Sequence, residues 1–140
     1  MTREYSVRNG VLRVPVFLNN EEKSLTVCSH AKVLFEITVG SPKGSEKPDR
    51  FVDLPVFCGE GEKLEISGDL PESFFDLIGT EGALLPVMNL SSRPKIHFTP
   101  EFGWMNDPNG LLFAGGVFHM YFQHNPLGLD WGNMSWGHTV

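Results

Sequence analysis

The chain has no long apolar run. No stretch approaches the roughly 18 residues that a membrane-spanning helix needs, and the opening Met1-Thr-Arg-Glu-Tyr-Ser lacks the apolar centre of a secretory leader. The expectation is therefore no membrane partner and a cytoplasmic location. Positive charge is also scarce: 11 Lys and Arg against 17 Asp and Glu leave a net charge of -6. The few cations are scattered, whereas a nucleic-acid surface needs a basic patch to displace counterions from phosphates, so nucleic acid is excluded as a partner. Cysteine is limited to Cys28 and Cys58. Without a leader, two free thiols are the commoner state for such a pair. His119, His124 and His138 have no cysteine beside them and no helical i, i+4 spacing, which speaks against a zinc site. With no glycine-rich phosphate loop either, no metal or cofactor is expected, and the ligand should be neutral or small.

What is present is short-strand sequence broken by Gly and Pro. In residues 1–90, strands are expected over 11–18, 24–28, 32–39, 51–57 and 63–67, with one helical turn over 73–77. The clearest is 32–39, where Lys32, Leu34, Glu36 and Thr38 alternate with Val33, Phe35, Ile37 and Val39. That is the pattern of one wet and one buried sheet face. Regular spacing of such strands predicts an all-β, sandwich-like domain over 1–90. A linker over 84–94, in which Pro86 and Pro94 flank Ser91-Ser92, then opens a second region, 91–140.

That region holds all three tryptophans, Trp104, Trp131 and Trp136. Leu111 to Phe113 and Val117 to Gln123 read as a hairpin around Gly115-Gly116, with a third strand from Met134 onward. Three strands do not close a core alone, so the chain reads as a fragment or as one that borrows a partner. Its centre is Trp104-Met-Asn-Asp-Pro-Asn-Gly. Asp-Pro-Asn-Gly is a strong β-turn signal, and on local chemistry a turn is the favoured reading of Asp107. The same residues suit a catalytic carboxylate held at a strand end, because Pro108 keeps Asp107 out of the helical region.

Four segments in order, Arg93-Pro-Lys-Ile-His-Phe-Thr-Pro, Trp104-Met-Asn-Asp-Pro-Asn-Gly, Tyr121-Phe-Gln-His-Asn-Pro and Trp131-Gly-Asn-Met-Ser-Trp-Gly-His, resemble the opening of glycoside hydrolase family 32. That family contains invertases, inulinases and levanases. The resemblance implies that 91–140 begins a five-bladed β-propeller, as its first, incomplete blade. It implies a retaining two-carboxylate hydrolysis of β-fructosyl bonds in sucrose, inulin or levan, a fructose-containing oligo- or polysaccharide being the partner. Asp107 would be the nucleophile, with Asn106, Gln123 and Trp131 shaping the pocket for the fructosyl ring. The family's acid/base Glu belongs to later blades, so the 140-residue chain is expected to be inactive alone.

Each residue also has a plainer reading. Gln123 could pair backbone groups at a strand end, and the tryptophans could be core packing, where Trp136 is placed. Glu101 and Asp130 read as loop carboxylates. A non-catalytic carbohydrate-binding or vestigial β-protein is the competing function, and the oligomeric state is open.

Overall fold

The computed structural model describes residues 1–81 and 94–140. The chain divides into two compact units, Met1–Leu85 and Pro86–Val140. The expected linker over 84–94 lies outside the described residues except for Pro94. Among the described residues no helix is long and apolar enough to cross a membrane.

The first unit contains six strands: β1 (Thr2–Ser6), β2 (Val11–Val16), β3 (Glu22–Ser29), β4 (Lys32–Gly40), β5 (Arg50–Pro55) and β6 (Lys63–Gly68). One sheet runs in the order β1-β6-β3-β4 and a second pairs β2 with β5, every pairing being antiparallel. Leu25, Val27, Leu64 and Ile66 from the first sheet are fully buried, as are Leu12 and Val14 from the second. The short helix α1 (Glu72–Phe75) adds Phe74 and Phe75, and Phe74 meets Phe17 with ring centroids 6.2 Å apart. Large side chains with little exposure from both sheets and the helix thus supply the apolar burial that orders this unit. Across β2 and β5, Arg13 faces Asp53 in register and donates two bonds to its carboxylate, at 2.7 and 2.8 Å.

Two expectations need correction here. β1 has no alternation of apolar residues and was not foreseen; its place is set by pairing along all of β6 from Lys63 to Ser67. β4 forms as expected, but of its apolar row only Val39 is buried and Val33 is 51% exposed. The reason is position, since β4 is the outer strand of its sheet and pairs with β3 alone. Cys28 and Cys58 are free thiols.

The second unit is one antiparallel sheet in the order β7-β8-β9, formed by β7 (Trp104–Ala114), β8 (Val117–Asn125) and β9 (Ser135–Thr139). Gly115 and Gly116, at φ 59° and 84°, make the tight β7–β8 turn. Phe122 lies opposite Gly137 on β9, and a Cβ on that glycine would stand 2.1 Å from the Phe122 ring. Glycine there lets the ring lie flat over the neighbouring strand. Phe98 and His124 flank the same ring, at centroid distances of 5.1 and 5.7 Å.

Candidate functional site on the first strand of the second unit

Asp107 does not sit in a β-turn, nor at a strand end. It lies inside β7, an 11-residue strand that runs through Asp-Pro-Asn-Gly without turning back. The turn chemistry is absorbed by two interruptions of the β7–β8 ladder, between Asn106 and Pro108 and between Asn109 and Leu112. Asn106 faces Gln123 and Pro108 faces Phe122, so Asp107 is the extra residue of a β-bulge with no partner on β8. Proline fits at this point because β7 is an outer strand and the ladder is already broken. Gly110 supplies φ 57° for the second interruption, and the Asn109 side-chain amide donates to the Asp107 carbonyl at 3.1 Å.

The bulges decide which side chains share a face. In an unbroken strand, residues an even number apart line one face. Here Asn106, Asn109 and Leu112 face Gln123, Tyr121 and His119, so residues three apart lie in one row. Gln123 also faces Trp136 on β9. Asn106, Gln123 and Trp136 therefore form one row across three strands, with Asp107 inserted beside its first member. Bulges are a recurrent means of re-aiming a side chain next to a site. Asn106 and Asp107 are exposed and Gln123 is half-buried.

Trp131 lies outside the ladder, on the β8–β9 connection, and is 72% exposed. That connection is tied to Asn125, the last residue of β8 and 4% exposed. The Asn125 amide donates to the Asp130 carbonyl at 2.8 Å and accepts from the Leu127 backbone N–H at 3.0 Å and from the Asn133 amide at 3.4 Å.

Further along the shared face, His138 stacks on Tyr121, which it faces in register, with centroids 4.4 Å apart. His119 and His138 are within 7° of parallel, with centroids 5.1 Å apart and Nδ1 to Nε2 at 2.9 Å. A separation this large with nitrogens this close describes rings lying edge to edge and sharing a proton. The Ala114 carbonyl, 3.3 Å from His119 Nε2, can only accept. His119 therefore carries its proton on Nε2 when neutral, and His138 donates to its Nδ1. Among the described residues, no three His, Cys, Asp or Glu side chains come together as metal ligands.

Sequence reasoning singled out Asp107, Asn106, Gln123 and Trp131. The structure brings Asn106 and Gln123 face to face beside Asp107 and leaves Trp131 on a separate loop. Two residues were missed. Trp136 was assigned to the core, yet it is 66% exposed and in register with Gln123. Asn125 drew no attention, although an Asn before a Pro at a strand end is a known turn signal.

Residues 97–140 match the model of the glycosyl hydrolases family 32 N-terminal domain. The chain resembles that family over this segment alone. It is similar to the invertase of Schizosaccharomyces pombe, 62% identical over 65 residues that make up 45% of this chain and 11% of that protein. The extracellular exo-inulinase of Aspergillus awamori is 56% identical over 48 residues, 34% of this chain and 9% of its own length. The levanase of Bacillus subtilis is also 56% identical over 48 residues, 34% of this chain and 7% of its own length. The family 32 match thus spans about a tenth of the length of these relatives. No solved structure matches the chain.

Proposed function

We propose that the protein is a β-fructosidase, hydrolysing fructosyl bonds of sucrose, inulin or levan, with Asp107 as its nucleophile. The observation that carries this reading is the bulge: it sets a carboxylate apart from the ladder, directly beside the facing amides of Asn106 and Gln123. In the retaining scheme one carboxylate attacks the anomeric carbon while a second carboxyl, about 5–5.5 Å away, protonates the leaving oxygen. The glycosidic C–O bond breaks, the fructosyl group passes to Asp107, and water later releases it. Gln123 would position ring hydroxyls, and Trp131 would offer an apolar wall.

In this reading the second unit is the first blade of a five-bladed propeller and the first unit a sandwich-like accessory domain. Exposure of Leu111, Leu112, Phe113 and Phe118 supports the blade assignment, since neighbouring blades bury such side chains. The acid/base carboxyl would come from another blade, and the 140-residue chain alone would hydrolyse neither sucrose nor fructan.

The test is intact mass after incubation of a complete fructosidase carrying this segment with an activated fructoside. A fructosyl adduct is expected on the wild type and not on Asp107→Asn. An equal adduct on both would move the nucleophile to another residue.

A further inference from the structure

We infer that Asn125 is the positioning residue for Trp131, and that it does so by fixing the backbone one residue upstream of the indole. The inference rests on the sugar-binding reading of Trp131 for its functional meaning, but on geometry alone for the positioning. Asn125 is buried at the end of β8, and the side-chain hydrogen bonds described above all reach the loop that carries Trp131. Its orientation is dictated by its partners. The Leu127 backbone N–H can only donate, so the side-chain oxygen must face it, and the Asp130 carbonyl can only accept, so the side-chain NH₂ must face that. One planar group therefore grips the beginning of the loop with its oxygen and the residue before Trp131 with its nitrogen.

The surroundings leave the amide little freedom. A Cβ on Gly128 would stand 2.8 Å from its nitrogen, and a Cβ on Gly103 would stand 2.1 Å from the Asn125 carbonyl oxygen. The Gly128 approach crowds the side-chain amide, whereas the Gly103 approach is to the main-chain carbonyl of Asn125. An exposed indole on an irregular loop would otherwise sample many orientations, and positioning a sugar requires one.

The two ends of the amide can be separated by substitution. Asn125→Asp keeps the acceptor for Leu127 but sets an oxygen against the Asp130 carbonyl, whereas Asn125→Ala removes these bonds and the one from Asn133. The experiment uses the full 140-residue chain labelled with 5-fluorotryptophan, its three ¹⁹F resonances assigned by single Trp→Phe changes, together with amide hydrogen exchange. Leu127 should exchange roughly tenfold faster in Asn125→Ala, as expected for one lost hydrogen bond, and at the wild-type rate in Asn125→Asp. The Trp131 resonance should shift and broaden in both variants while that of Trp136 stays in place. An unmoved Trp131 resonance in Asn125→Asp would overturn the inference. So would a Leu127 amide that is unprotected in the wild type, a measurement that holds even if the variants fail to fold. A second arm measures fructoside binding by the fructosidase in a double-mutant cycle. Asn125→Asp should weaken binding roughly tenfold in the wild-type background and have no further effect beside Trp131→Ala. If Trp131→Ala itself leaves binding unchanged while the ¹⁹F result stands, the sugar-binding reading fails and the positioning survives.

Discussion

Single residues in the second unit divide into those the sheet requires and those it only carries. Gly137 is required: its missing Cβ is the space that the Phe122 ring occupies. Gly137→Ala is therefore expected to cost about 1–3 kcal/mol, read as a lowered denaturation midpoint of the second unit. Asp107 is carried, being exposed and unpartnered across the ladder. Asp107→Asn should move stability by no more than about 0.5 kcal/mol while removing the adduct. In the first unit, burial pushes the Cys58 thiol above its ordinary range, with the Glu62 charge adding to the effect. Less thiolate at neutral pH means slower alkylation, and Cys58 should react with iodoacetamide more slowly than a free cysteine under the same conditions.

At the scale of elements, connections are held by specific polar contacts. The Glu46 carboxylate accepts from the Lys43 backbone N–H at 3.0 Å and from the Asn20 amide at 2.6 Å, and these bonds hold its pKa below the usual range, the backbone bond most strongly. Because the folded value is the lower one, the stabilisation is present above the unfolded pKa and fades as pH falls through the folded pKa. Glu46→Gln should flatten that acid limb in a pH series of thermal midpoints. The Arg13–Asp53 pair joins β2 to β5 but its Arg side chain is 40% exposed, so Asp53→Ala should cost only about 1 kcal/mol by denaturant unfolding. Element positions were legible where alternation and turn residues agreed, as at β3, β6 and the β7–β8 hairpin. They were illegible where pairing overrode local preference. β1 carries no apolar alternation and is a strand because β6 offers an edge, while Asp-Pro-Asn-Gly remains extended because β8 pairs on both sides of it. The residues Asp107, Asn106 and Gln123 could be named from motif order, but their facing relation depended on a bulge, and Trp136 on a register, that no local pattern encodes.

For the molecule as a whole, the two units differ in how much they bury. The first holds Leu12, Val14, Leu25, Val27, Leu64, Ile66, Phe74 and Phe75 with essentially no exposure, whereas the apolar side chains buried among the described residues of the second are Phe122 and Leu127. Burial of apolar surface is the main favourable term in folding, so protection from exchange should follow it. Hydrogen exchange on the intact chain should separate two classes, with slow amides in β2, β3 and β6 and faster ones in β7 and β9. Uniformly slow exchange would mean that the second sheet is covered in solution.

The bulge at Asp107 makes this residue intercalary, a leap day in the calendar of the ladder. Asn106 opposite Gln123 and Pro108 opposite Phe122 would be consecutive pairs of an ordinary strand if nothing stood between them. The sheet closes without its proposed nucleophile. Excising Asp107 outright, which would wreck a regular strand by throwing every later side chain onto the opposite face, should here leave the protection of β8 and β9 amides as it was and take away only the carboxylate that we propose as nucleophile.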